Sequence, residues 1–378
     1  MKKVKVLQLH PDYNIRRVDI SDLGEQIIKA LSKERYTTIT AFFQGEPAEG
    51  QPQSAADKSV YFRMRDEQLS GLRIGALWTL YRYIKKEQVD VVICNRYKPI
   101  NMMLTLSRFL DVRLCIGIVH AFGDYKRHYR RAQVKRRADS KWQFVSVSPA
   151  VKEYLLGLDC GFAGRTTPIT NAIDTAKAET VIVHQRVARA ELGLDASVTV
   201  IGAIGRLVKL KGHANLIKAF SEISNEHPNA QLVILGDGPE KQSLQQLITS
   251  LGLQGRVHLM GFVSDAIRLI KAFDIFVMPS FREGLGLALL EAMCGKLPII
   301  ASNVPAMFPL IQGAGGIAIE PDDIRSISSA LTQYLELTQD ERVELGDAAY
   351  QYLLDNHSIE GFRSAYLQLI EEGLKRNE

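Results

Sequence analysis

Phe281-Arg282-Glu283-Gly284-Leu285-Gly286-Leu287-Ala288-Leu289-Leu290-Glu291-Ala292-Met293 is the stretch on which the reading of this chain turns. A Gly-x-Gly turn opens a strongly apolar helix. One carboxylate stands just before it, and a second lies eight positions on, about 80° around the helix at ~3.6 residues per turn. A carboxylate on an apolar helix is costly to bury without a partner. Two of them within reach of one pocket suit a ligand rich in hydroxyls, while the Gly284-Leu285-Gly286 backbone offers N–H groups at a helix start, where anions bind.

Working outward, apolar runs alternate with amphipathic stretches. Val198–Ile204, Gln231–Leu235, Val257–Leu259, Ile275–Met278 and Leu297–Ala301 read as strands, separated by helical patterns such as His213–Glu226, Pro239–Leu251, Ser264–Ala272, Asp322–Leu337 and Asp340–Asp355. The first half repeats the alternation with strands at Val4–Leu9, Thr37–Phe43, Val89–Cys94, Arg113–Val119, Gln143–Val147 and Thr167–Thr170, and helices at Asp22–Ser32, Leu72–Lys86, Ile100–Phe109 and Ala150–Gly157. Gly45–Lys58, rich in Gly, Pro, Gln and Ser, reads as an exposed loop. Residues 175–194 are polar and mixed, and the linker between domains is placed near residues 171–181. Strand–helix alternation predicts parallel sheets covered on both faces. The fold class is therefore α/β, with two doubly wound Rossmann-like domains facing a central cleft. Ligands of such sheets bind beyond the carboxyl ends of the strands, and the Gly-rich turns all follow expected strands.

Four segments carry a family resemblance. Glu283 to Glu291 resembles the Glu-x7-Glu motif of the retaining glycosyltransferases of family 4. Gly205-Arg206-Leu207-Val208-Lys209-Leu210-Lys211-Gly212 is similar to that family's Gly-Arg…Lys-Gly segment, and Gly236-Asp237-Gly238-Pro239-Glu240 to its second Gly-rich turn. Asn171-Ala172-Ile173-Asp174 resembles the Asn-Gly-Ile-Asp that follows its domain linker. The resemblance implies the GT-B architecture: an acceptor-binding domain over 1–174, a nucleotide-sugar-binding domain over 175–355, and a helix in 356–378 crossing back to the first domain. It implies that Arg206 and Lys211 bind the leaving diphosphate, that Gly284, Leu285 and Gly286 touch diphosphate or sugar, that Glu283 holds the transferred sugar, and that Glu291 holds the ribose. His120, ending an apolar strand, matches a histidine placed near the sugar, and His10, Asp12 and Asp124 are further polar candidates. The bland alternatives are a solvated basic turn at Arg206–Lys211, a buried salt bridge at Glu291, a dipole-stabilised carboxylate at Glu283 and a backbone-bonded strand-end histidine at His120. The Gly-Gly turn usual after the first strand is missing, and Arg16 or Arg17 is the candidate to supply charge instead.

The implied function is a retaining glycosyltransferase that uses a nucleotide sugar as co-substrate, needs no cofactor or metal, and acts on a glycan or lipid-linked acceptor in bacterial cell-envelope synthesis, such as lipopolysaccharide core. A nucleotide-sugar epimerase on the same fold and a catalytically silent nucleotide-sugar binder are the alternatives. Composition agrees with a folded enzyme: 378 residues, 24% charged and 46% hydrophobic, net charge +5. No apolar run approaches the ~20 residues that span a bilayer, and Met1-Lys2-Lys3 leads into a strand rather than a signal peptide. Cys94, Cys115, Cys160 and Cys294 lack metal-type spacing and read as reduced thiols of a cytoplasmic protein. Tyr125–Arg137 holds seven Lys or Arg and no acid. It is open to three readings: a solvated helix face, contact with anionic lipid at the inner face of the cytoplasmic membrane, or a hold on a phosphorylated acceptor. The aromatic and basic helix with Trp78, Tyr81, Tyr83, Lys85 and Lys86 could share that face. No nucleic-acid motif accompanies either, so no nucleic-acid partner is expected.

Overall fold

A computed structural model describes residues 2–15 and 20–376; Arg16 and Arg17 lie outside the described residues. The chain forms two compact units, one of residues 1–171 with 359–378 and one of residues 172–358. No helix among the described residues is long and apolar enough to cross a membrane.

In the first unit, strands β1 (Val4–Asp12), β2 (Tyr36–Gln44), β3 (Lys58–Tyr61), β4 (Val91–Asn95), β5 (Leu114–Val119), β6 (Trp142–Ser146) and β7 (Thr166–Pro168) pair in parallel in the order β3-β2-β1-β4-β5-β6-β7. The central strands are aliphatic because helices cover both faces: Val6, Leu7, Val91, Val92, Ile93, Leu114 and Ile116 are fully buried. Strand order reverses between β1 and β4. The last helix, Ile359–Arg376, belongs to this unit. It lies so close to β5 that a Cβ at Gly373 would stand 2.7 Å from the Leu114 methyls, and Arg363 Nε donates to Gln26 Oε1 at 3.0 Å.

The second unit repeats the plan with β8 (Thr199–Ile204), β9 (Ala230–Leu235), β10 (Val257–Gly261), β11 (Ile275–Met278), β12 (Ile299–Ser302) and β13 (Ile317–Ile319), ordered β10-β9-β8-β11-β12-β13. Every pairing is parallel, and order reverses between β8 and β11. All four cysteines are free and buried.

Several elements differ from the sequence reading. The edge strands β3 and β13 were not anticipated. The loop before β3 is pinned by the carboxylate of Glu25, which accepts from Ser54 Oγ at 2.8 Å and Ala55 N at 2.5 Å. Residues 175–194 hold two helices, Thr175–Val181, capped by Asp174 on Lys177 N at 3.0 Å, and Gln185–Glu191. The second is held by buried Arg189, which donates to Asp274 at 2.5 Å and to the Ala272 carbonyl at 3.1 Å. The Ser264–Ala272 pattern forms a tighter 3-10 helix over Ala266–Ala272.

The C-terminal helix buries Ile359, Phe362, Tyr366, Leu369, Ile370 and Leu374. At ~1.5–3 kcal/mol per buried apolar side chain, that area rivals the ~5–15 kcal/mol net stability of a domain. A chain ended after Ser358 should therefore lose the first unit's cooperative melting transition and become protease-sensitive over residues 2–171. An unchanged transition would show that the helix is dispensable.

Candidate functional site

The loops after β8 and β11 meet at the reversal point of the second sheet. Gly212 has φ +71°, and a Cβ there would lie 1.9 Å from the Pro279 carbonyl oxygen, so only glycine lets the two backbones touch. Phe281 N–H donates to the Leu210 carbonyl at 2.9 Å. This contact seats Lys211 against Glu283, whose side chains form a hydrogen-bonded ion pair and are only 23% and 14% exposed. A pair so withdrawn from water is held more strongly than a surface one, since removing either partner strands a desolvated charge.

The Gly236–Glu240 turn clamps the first loop from its other side. Leu207 N–H donates to the Asp237 carbonyl at 2.9 Å, and Glu240 N–H donates back to the Leu207 carbonyl at 3.0 Å. A Cβ at Gly236 would stand 1.8 Å from the Gly205 carbonyl oxygen, and one at Gly238 would stand 2.4 Å from that of Leu207. The second Gly-rich turn is thus the backing of the first. His213 opens the helix His213–Ile223, as its position after Lys-Gly predicts. It is also buried behind this loop, 3.5 Å from where a Gly205 Cβ would be. Burial, and then the Lys211 charge, push its pKa down to about 4, against a contact with the Arg206 backbone. A cavity of about 270 Å³ has Val208, Lys209, His213, Glu240 and Phe281 in its wall, but neither Lys211 nor Glu283.

Gly284, Leu285 and Gly286 are buried and lead into the helix Leu287–Cys294, with Gly286 at φ +96° as its N-cap. Glu291 lies inside this helix and is 6% exposed. Its carboxylate, with those of Glu179 and Asp174, adds to burial in pushing up the Cys294 thiol. Arg206 is exposed on the loop that carries Lys211. The structure therefore joins Lys211 to Glu283 directly, and ties Arg206 and Glu291 to them through one loop and one helix.

His120 lies elsewhere, one strand from the reversal point of the first unit's own sheet. It follows β5, beside the ends of β1 (His10, Asp12) and β4 (Asn95, Arg96). His10 sits in β1, buried, stacked on Phe42 at 5.2 Å, and its Nε2 accepts from Gln8 Nε2 at 2.8 Å. Burial, with His120 and Arg96 beside it, lowers its pKa to about 3; burial and then Arg96 lower that of His120 to about 4. Both imidazoles are therefore neutral hydrogen-bonding groups at pH 7. Arg96, at φ +65°, reaches Asp12 at 3.8 Å. Neither Asn95 nor Arg96 was singled out from sequence, although they end an apolar strand as His120 does. Asp124 gives its carbonyl to Arg130 Nη1 at 2.7 Å. Among the described residues, no three His, Cys, Asp or Glu side chains gather as a metal site.

The comparisons with known proteins follow the same division. Residues 184–352 match the family model for glycosyl transferases group 1, and residues 25–177 match that for glycosyltransferase family 4. The chain belongs to the family 4-type glycosyltransferases. It is 33% identical over 184 residues to the lipopolysaccharide core biosynthesis glycosyltransferase LpsE of Rhizobium meliloti (strain 1021), covering 48% of this chain and about half, 52%, of that relative. It is 27% identical over 305 residues to LpsD of the same organism, covering 79% and 80%. Among solved structures, that of Anabaena Alr3699/HepE in complex with UDP-glucose superposes with a TM-score of 0.80 at 20% identity, over 97% of this chain and 99% of that one. The fold of this glycosyltransferase is GT-B, two parallel-sheet Rossmann-like units.

Three neutral histidines, buried His10 and His213 and half-buried His120, have folded pKa values below the ordinary 6.5. The unfolded chain then binds more protons below pH ~6.5, so stability is full above that value and falls as pH drops toward 3–4. His10→Gln should flatten this slope between pH 6.5 and 4 in urea-midpoint measurements. An unaltered slope would mean that His10 titrates normally.

Proposed function

We propose that this glycosyltransferase moves a sugar from a nucleotide sugar to a glycan or lipid-linked acceptor of the bacterial cell envelope, of the lipopolysaccharide-core class, with retention of anomeric configuration and without a metal. The observation that carries the reading is the Lys211–Glu283 pair at the strand-order reversal, next to the start of the helix Leu287–Cys294. Cleaving an anomeric C–O bond throws negative charge onto the departing diphosphate. Fixed cations and helix N-termini stabilise such charge most where water is excluded. Lys211 and Arg206 take that task, with the backbone of Gly284–Gly286. Glu283, oriented by Lys211, accepts hydrogen bonds from the sugar hydroxyls, and Glu291 from the ribose. A neutral His120 hydrogen-bonds a sugar hydroxyl. No carboxylate is assigned as a covalent nucleophile. Transfer is front-face: the new bond forms on the side the diphosphate leaves, and a diphosphate oxygen takes the acceptor's proton. The names of LpsE and LpsD support the envelope assignment, and the UDP-glucose in the HepE structure supports a nucleotide-sugar donor. The first unit takes the acceptor, and its basic stretch Tyr125–Arg137 contacts the inner face of the cytoplasmic membrane.

Lys211→Ala should lower turnover well over tenfold, about 3 kcal/mol for one lost charge-stabilising donor. Near wild-type turnover in that variant would refute the role given to Lys211. A thermal-shift panel of nucleoside diphosphates and nucleotide sugars identifies the donor, because a bound ligand raises stability with its affinity. Altered sugar released without acceptor would favour the epimerase instead.

A further inference from the structure

Three helices of the first unit lie side by side: Ile74–Glu87, Tyr97–Leu106 and His128–Arg137. Arg73 Nη1 donates to Asn101 Oδ1 at 2.7 Å, Asn101 Nδ2 donates to Gln133 Oε1, and the Arg130 guanidinium lies 3.8 Å over the Tyr97 ring. Residues 73–87, 97–109 and 126–137 carry four, two and seven Lys or Arg, with Glu87 as their single acid. Glu87 is already paired with Lys58 at 2.7 Å.

The first of these helices has two apolar faces. Ala76, Leu80 and Ile84 are buried. On the other side Ile74, Trp78 and Tyr81 follow one another at helical spacing, with Leu72 just ahead of them. Leu72 is 83% exposed, Ile74 71% and Trp78 59%. Trp78 stacks on Tyr81 at 5.6 Å, and Lys85 lies over Tyr81 at 5.7 Å. A solvated helix face does not explain exposed Leu, Ile and Trp in one ridge. Nucleic acid would use the cations and the rings but has no place for Leu72 and Ile74. The boundary between lipid headgroups and acyl chains takes all of them. The structure also trims the surface read from sequence. Tyr125 is buried, and Tyr83 packs edge-on to Phe62 at 5.4 Å, so neither belongs to the ridge.

We propose that Leu72, Ile74 and Trp78 form an apolar anchor that docks the first unit on an anionic lipid bilayer, while exposed Lys126, Arg127, Lys135 and Arg136, on and just before the helix His128–Arg137, meet the phosphate headgroups. This rests on the membrane contact proposed above and adds the anchor that the basic stretch lacks.

The chain has two tryptophans, and the other, Trp142, is fully buried, so a change in emission on adding vesicles reports Trp78. Vesicles of two parts phosphatidylcholine to one part phosphatidylglycerol should shift the emission to the blue, and phosphatidylcholine alone should not. Leu72→Asp with Ile74→Asp should weaken co-sedimentation with the mixed vesicles by about tenfold or more while leaving melting temperature and donor hydrolysis unchanged. No shift, or unaltered co-sedimentation of this variant, overturns the anchor. If Arg127→Glu with Lys135→Glu then abolishes binding, the basic-stretch contact stands and the anchor alone has failed. Tighter binding to a single-stranded oligonucleotide than to the vesicles overturns both.

Discussion

Lys211 and Glu283 can pair only because two backbones touch. Gly212 lies against the Pro279 carbonyl with no room for a side chain, and β8 and β11 are neighbours although β9 and β10 come between them in sequence. The same adjacency brings the start of the helix Leu287–Cys294 to the loop that carries Arg206. Remove the close approach and the cation, the carboxylate and the helix start no longer share a neighbourhood. The Gly236–Glu240 turn adds a second backbone contact to the same loop, so the loop is held from two sides. Such rigidity is what electrostatic stabilisation of a leaving group requires, because donors that must reorganise lose most of their effect.

The first unit applies the same topological rule with different chemistry. Its reversal between β1 and β4 gathers His10, Asp12, Asn95 and Arg96, with His120 from β5 next to them. Burial keeps both imidazoles neutral. This cluster therefore offers neutral imidazoles beside an exposed Arg96–Asp12 ion pair, whereas the second unit's loops offer a largely buried ion pair and a helix start. The outward-facing charge of the first unit lies instead on its helices, where cations border an exposed apolar ridge.

Much of this was legible in the sequence where chemistry is local. The strands β8 and β9 are apolar runs ended by glycine turns, β11 is an apolar run ended by a proline, and the Gly-Arg…Lys-Gly and Glu-x7-Glu segments keep their residues at fixed spacing. Lys211 and Glu283 were both identified as site residues, but their pairing, across 72 positions, follows from strand adjacency that no local pattern encodes. The backing role of Gly236 and Gly238 is a spatial fact of the same kind. Strands β3 and β13 are too short to show a period. The helix Gln185–Glu191 depends on Arg189 reaching Asp274, a long-range bond invisible to periodicity. A seven-residue stretch such as Ala266–Ala272 cannot tell a 3-10 from an α period. Asn95 and Arg96 stand at the end of β4 by the same strand-end rule that marks His120 after β5, but no sequence motif singles them out.

Backbone hydrogen exchange with and without a nucleoside diphosphate tests the central claim most directly. Slowed exchange concentrated in residues 205–213 and 283–294 is the outcome this account predicts. Binding that instead protects other segments of the second unit and leaves both of those unchanged would contradict it.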